Sequence, residues 1–207
     1  MNFLSPCLLA ISSNLDTLSV ATSYGLKKIN MTKSSVLLIS IITSLGTFFS
    51  MYIGEFISRL FNLEIANIFG SVLLVFIGFY FLIEYIKAVK KNRGEDISYY
   101  VENSQKYNDV LENPTIVDKD ASGEIDIKES LILSFALTIN NLSVGIASSI
   151  TGVSISLSVF FNFIITILSI YLGHYLGNTY LSKLFGKYSN LISGVLLIIL
   201  GIYELFI

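Results

Sequence analysis

One cysteine and one histidine are all that 207 residues supply of the side chains that most often build disulfides, soft-metal sites and nucleophilic triads. Cys7 has no partner for an internal disulfide or a thiolate metal site. His174 lies in a different apolar run with no acid to orient it, so no nucleophile, base and orienting group converge. That argues against an enzyme and against an organic cofactor. Charge is also scarce, at 14% of residues with a net of −2, and no basic stripe is present. Nucleic acid is therefore not an expected partner.

Apolar residues fill the space that charge leaves. They make up 53% of the chain, with a mean hydropathy of +0.72, too apolar for a soluble domain. Runs of about 20 apolar residues are the mark of membrane-spanning helices. Six can be drawn, at Phe3–Gly25, Val36–Ser58, Ile65–Ile86, Leu131–Ile150, Ile155–Gly177 and Leu191–Ile207. The first has neither a basic leader nor a small-residue cleavage site, and is expected to be retained. Twelve of the thirteen basic residues fall between alternate spans, and only Arg59 lies on the other side. The positive-inside rule then places both termini outside the cell and the 87–128 loop in the cytoplasm.

The chain also repeats itself. VLLVFIGFY at 72–80 returns as VLLIILGIY at 195–203, an offset of 123. Gly46, Ser50 and Gly54 correspond in the same way to Ser169, Gly173 and Gly177, two rows of small residues that predict close helix packing. LDTLSVA at 15–21 resembles INNLSVG at 139–145, an offset of 124. The expected fold class is an all-α membrane protein of two three-helix repeats, 1–90 and 129–207, joined by a cytoplasmic linker over 91–128. An odd number of spans per repeat turns the second copy upside down, an architecture typical of transporters with a site near the midplane.

Asp16 is the one ionisable residue deep within a span. A carboxylate there costs at least ~3 kcal/mol and ordinarily faces a cavity that handles ions or protons. Ser12 and Ser19 share its face at helical spacing, and Thr17 follows it. The matching stretch of the second repeat offers Thr138, Asn140 and Asn141, with Asp16 opposite Asn140 and Thr17 opposite Asn141. Oxygen ligands without thiol or imidazole suit hard divalent cations. The structural alternative is a protonated Asp16, with the two asparagines bonding helix to helix.

Between the repeats stands DKDASGEIDIKE, 118–129. Asp118, Asp120, Ser122, the Glu124 carbonyl, Asp126 and Glu129 occupy the ligand positions of an EF-hand loop, with Gly123 at the sharp turn. Ca²⁺ or Mn²⁺ is the expected ion. Pro114 just upstream argues against an ordinary incoming helix, and the rest of the linker reads as a loop with one short helix at 98–111. Asp126 followed three residues later by Glu129 is equally a capping box for the next helix.

LDTLSVATSYGLKKI, SMYIG and DKDASGEIDIKESLILSFAL together resemble the YtaF family of sporulation membrane proteins. These are relatives of the MntP-type manganese efflux pumps in the LysE-like transporter superfamily. The resemblance implies a multi-pass protein of a bacterial cell membrane, six helices in inverted repeat, and divalent cation export. It also implies an ion path through an aspartate of the first helix and its repeat mate in the fourth. Asp16 matches the first position. Asn140 stands at the second, which leaves open a membrane protein of sporulation that no longer transports. Oligomeric state is not fixed by any of these features.

Overall fold

The computed structural model describes residues 3–91, 117–118, 122–177 and 182–206. Six long helices run through them: α1 (Leu4–Leu26), α2 (Lys33–Ser58), α3 (Leu63–Lys91), α4 (Ile127–Ile150), α5 (Ile155–Gly177) and α6 (Ser182–Leu205). Two short strands, β1 (Asn30–Met31) and β2 (Glu124–Ile125), complete the described elements. The short helix expected at 98–111 and the stretch around Pro114 lie outside the described residues.

Four helices are long and apolar enough to cross a bilayer: α2, α3 over Leu63–Lys87, α5, and α6 over Tyr188–Leu205. A fifth is α4, if Ile127–Ile139 and Asn141–Ile150, bent by 43° at Asn140, form one span. The sixth expected span, α1, does not join this set. It carries Ser12, Ser13, Asn14, Asp16 and Thr17, all buried, and these polar side chains lower its apolarity.

Side chains are sorted as lipid requires. On α2, Leu37, Ile41, Leu45 and Tyr52 are exposed while Ser40, Thr43 and Ser50 are buried. The buried hydroxyls of Ser40 and Thr43 donate to carbonyls one turn back, Val36 at 2.8 Å and Ile39 at 2.9 Å. Apolar side chains gain nothing by leaving a hydrocarbon solvent, so helices associate through small residues that let backbones meet. The glycines mark those meetings. A Cβ on Gly54 would strike the Ile146 carbonyl of α4, and one on Gly177 the Thr22 carbonyl of α1. At Gly173 it would lie 2.6 Å from the Leu18 carbonyl. The two small-residue rows are thus interfaces, one onto α4 and the other onto α1. Between α3 and α6, a Cβ on Gly78 would lie 2.7 Å from the Gly194 carbonyl and one on Gly201 2.8 Å from the Ser71 carbonyl.

The main contacts pair α1 with α5, α2 with α4, and α3 with α6, followed by α1 with α6, α2 with α5, and α3 with α4. Each joins a helix of the first three to one of the last three.

At one end of the bundle the chain is tied by backbone hydrogen bonds. The Ile29 and Lys28 amides return to the carbonyls of Tyr24 and Gly25, both at 3.0 Å, closing α1 with Lys28 at φ +57°. This is the double bond pattern of a helix end that turns through the left-handed region. It delivers β1 alongside β2 in parallel, Asn30 against Glu124 and Met31 against Ile125. Ile125 is fully buried in a cluster with Val20, Tyr24, Val36, Leu133 and Ile170, and its carbonyl accepts from Ser35 Oγ at 2.7 Å. Asp126 and Glu129 then form the capping box that starts α4.

A non-glycine residue at Lys28 works against the left-handed backbone, at a cost of ~1 kcal/mol or more. Lys28→Gly is expected to stabilise the detergent-solubilised protein by about 1 kcal/mol in chemical unfolding, and Lys28→Val to destabilise it.

Candidate functional site

Helix α1 is enclosed on three sides, and its polar residues divide among them. Toward α6, Ser12 Oγ donates to the Ser193 carbonyl at 3.2 Å and Ser193 Oγ donates back to the Ser12 carbonyl at 3.1 Å. One turn further on, Ser189 Oγ donates to Asp16 Oδ1 at 3.4 Å. The face that Ser12 and Asp16 were expected to share is therefore the α6 face.

Toward α5, Asn14 Nδ2 donates to Asn162 Oδ1 at 2.7 Å and to its own helix at Ala10 O, 2.8 Å. The Thr166 hydroxyl lies 2.7 Å from both Asn14 Oδ1 and the Asn162 carbonyl. Thr43 of α2 approaches Thr166 at 3.5 Å, hydroxyl to hydroxyl. All four residues are buried. Toward α4, Asn141 Nδ2 donates to the Ser13 carbonyl at 2.9 Å.

Two oxygens in this layer stand apart. Thr17 Oγ1 and Asn141 Oδ1 are buried and have no hydrogen-bond partner among the described residues. Thr17 is only 2% exposed, and an orphaned buried polar group costs about 1–3 kcal/mol. Thr17 lies one helical turn from Ser13, whose carbonyl holds Asn141, so both oxygens belong to the flank of α1 that meets α4. Asp16, next to Thr17 in sequence but turned toward Ser189 of α6, is 8% exposed. Carboxylate, amide and hydroxyl oxygens are the donor types that hard cations take.

Not every expected residue joins it. Thr138 turns to α2, its methyl filling the space above Gly46 and its hydroxyl donating to Ser134 O at 2.8 Å. Ser19 is half-buried. The Asn140 side chain lies outside the described residues, although its backbone marks the bend in α4.

At the loop, Asp118 and Glu129 are both buried, at 9% and 7% exposure. The Asp118 oxygens accept the Ser122 and Gly123 amides at 3.0 and 3.1 Å, and Gly123 takes φ +75°. Ser122 Oγ donates to the Glu124 carbonyl at 2.9 Å. Asp126 accepts the Glu129 amide at 2.8 Å and Glu129 accepts the Asp126 amide at 3.3 Å. Asp120 lies outside the described residues. Among the described ones, no three His, Cys, Asp or Glu side chains gather as a metal cluster.

Several residues escaped the sequence reading. Asn162 interrupts a strongly apolar span, within FFNF, and that interruption was a usable signal. Thr43 and Thr166 are repeat mates at the 123-residue offset. Ser189 and Ser193 stand one turn apart on α6. Glu204, near the end of α6, is 8% exposed. Its carbonyl accepts from Asn67 Nδ2 at 3.0 Å. With Ser5, Glu64 and Asn67 it lines a cleft of about 570 Å³, at the end of the bundle opposite the loop.

Comparison with known proteins places these features in a family. A family model described as "Putative manganese efflux pump" matches residues 1–82 and 110–205. "Probable sporulation protein YtaF" of Bacillus subtilis (strain 168) is 30% identical over 99% of this chain and 100% of its own length. "Putative manganese efflux pump MntP" of Bacillus cereus (strain ATCC 10987 / NRS 248) is 23% identical over 96% of this chain and 93% of its own. The protein of the same name from Bacillus mycoides (strain KBAB4) is 22% identical over the same shares. No solved structure matches the chain. The YtaF and MntP resemblance read from the sequence is borne out. With its apolar helices and full-length match, this membrane protein belongs to the family of that first description, the manganese efflux pumps.

Proposed function

We propose that the protein exports a divalent cation, Mn²⁺ or Ca²⁺, across the membrane, with Asp16 as the charged ligand of the path. The observation that carries this reading is a buried carboxylate at Asp16 in the same layer of α1 as the orphaned oxygen of Thr17. A buried charge and an unpaired buried oxygen are both costly in a packed interior, and a cation entering that layer would offset such costs. Asn141 Oδ1 adds a third oxygen. Proton exchange at Asp16 would supply the coupling, since the carboxylate cannot hold a proton and the metal together.

The surroundings support transport by two rocking halves. Exchanging the first three helices for the last three turns the α1–α5 pair into α4–α2 and returns α3–α6 to itself. Gly54 against Ile146 then becomes Gly177 against Thr22, and Gly78 against Gly194 becomes Gly201 against Ser71. Thr43 and Thr166, repeat mates, meet each other. These correspondences favour an inverted repeat of six spans, with α1 tolerated in the membrane because other helices cover it. The bend at Asn140 fits a helix interrupted at a midplane site, where freed backbone carbonyls complete an ion's shell. On the positive-inside reading, the cleft at Glu204 would lie at the outer end and the 118–129 loop at the inner one. By helix rise, Asp16 stands about 16 Å from Ser5 and about 12 Å from Tyr24.

A second reading has its own support. One carboxylate leaves a divalent ion with net positive charge in a low dielectric, and Asn140 occupies the place of the second acid. The relative at 30% identity carries a sporulation name. A sporulation protein that keeps the fold without the transport is the alternative.

Three measurements decide. In proteoliposomes loaded for Mn²⁺ and Ca²⁺ flux, Asp16→Asn is expected to abolish export while the protein inserts normally. Asn140→Asp is expected to raise Mn²⁺ flux by restoring the paired acids. Flux unchanged by Asp16→Asn favours the sporulation reading.

Thr17→Val removes only the unpartnered oxygen. Its unfolding midpoint should hold or rise, while the Mn²⁺ concentration for half-maximal flux should increase several-fold. A fall in stability with unaltered flux would make Thr17 a packing residue.

On a Cys7→Ser background, cysteines placed at position 2 and within 100–110 should label from opposite sides of the membrane. Labelling from one side removes the six-span arrangement.

A further inference from the structure

The two ends of the bundle start from the same turn and finish differently. At the end of α1, the Ile29 and Lys28 amides return to the Tyr24 and Gly25 carbonyls. At the end of α4, an offset of 124 later, the Val153 amide returns to the Ser148 carbonyl at 3.3 Å and the Gly152 amide to the Ser149 carbonyl at 3.0 Å. Lys28 and Gly152 both take positive φ, +57° and +86°. The apolar clusters beneath the two turns correspond as well. Val20, Ile29 and Leu133 lie in one, and their repeat mates Val144, Val153 and Leu9 lie in the other.

What differs is the cover. Over the α1–α2 turn lies β2, where the Gly123 carbonyl accepts the Asn30 amide at 2.9 Å and the Ile125 carbonyl accepts Ser35 Oγ at 2.7 Å. Ile125 and Val117 are fully buried and complete the first cluster. Both come from the linker and belong to neither repeat. Among the described residues, no strand lies over the α4–α5 turn. There Thr151, Gly152, Val153 and Ser154 line the cleft of about 570 Å³ instead. Of two matching spaces, the linker fills one and the other is open.

We propose that Ile125, carried on β2, is a plug that closes its end of the bundle and must withdraw from the α1–α2 turn before that end can open. The inference rests on the reading of the chain as an inverted-repeat transporter. In such a protein the halves rock against each other around a fixed site, so each end takes in turn the form that the other has now. A cleft at the α1–α2 turn needs the volume that Ile125 fills. The attachment suits a part that leaves, since a parallel pairing of Asn30 with Glu124 and Met31 with Ile125, together with the Ser35 hydroxyl, holds β2 in place. On the positive-inside reading the plug lies at the cytoplasmic end, so the linker that joins the repeats also governs entry from the cytoplasm.

The test uses the full chain on a Cys7→Ser background and has two readouts. In the first, Val20→Cys and Leu9→Cys, introduced singly, meet a water-soluble maleimide in detergent. Val20 lies beneath the plug, one helical turn from Asp16, and Leu9 lies in the corresponding cluster at the other end; both are buried. Ile125→Ala should speed the reaction at Val20→Cys several-fold and leave that at Leu9→Cys unchanged, because loosening one contact raises the population of its local opening. Equal rates with and without Ile125→Ala, or a matching rise at Leu9→Cys, make Ile125 an ordinary core residue and overturn the proposal. In the second, Asn30→Cys and Glu124→Cys, at positions paired in register and both exposed, are oxidised to a disulfide that holds the plug shut. Mn²⁺ flux in proteoliposomes should stop on oxidation and return on reduction. Flux that continues through the locked protein overturns the plug. A parent protein without flux strikes the transport reading, and the maleimide rates then decide the plug by themselves.

Discussion

Hydrocarbon offers no hydrogen bonds, and this one constraint governs where α1 lies. Its serines, asparagine, threonine and aspartate must all be met by protein. α5 supplies Asn162 and Thr166, α6 supplies Ser189 and Ser193, and α4 supplies Asn141. The more apolar helices accordingly present leucine, isoleucine and phenylalanine outward and keep hydroxyls inward. Packing in this bundle is less a matter of hiding apolar surface than of sheltering polar surface.

Against that background, the exceptions gain meaning. A bundle that finds partners for Asn14, Ser12 and Ser13's carbonyl leaves Thr17 Oγ1 and Asn141 Oδ1 without any among the described residues.

Local features were legible in the sequence and tertiary ones were not. The apolar runs gave the helices because span length is a local property. The capping box was readable because its two residues are three apart, and the small-residue rows because their spacing is helical. The Asn14–Asn162–Thr166 network was hidden, since in a helix that is apolar nearly all round no periodicity tells which side meets which neighbour. The burial of Glu204 was likewise set by the cleft around it rather than by its distance from the helix end. The β1–β2 pairing joins residues 94 positions apart, and a two-residue strand leaves no pattern to read. α1 was drawn as a span like the rest, and its polar load proved to be what sets it apart.

The contact pattern has a consequence for how the chain is made. Every principal helix contact crosses from the first three helices to the last three, so the amino-terminal half emerges from the ribosome with none of its final neighbours. α1, synthesised first, must wait with Asp16 and its hydroxyls uncovered until α5 and α6 have been translated. The natural holding places for such a helix are the membrane surface and the insertion machinery, where water or protein can answer its polar groups. Neither half is then a stopping point for biogenesis. A chain truncated after α3 would leave the ribosome as three helices with nothing to pack against, a target for membrane quality control rather than a smaller version of the protein.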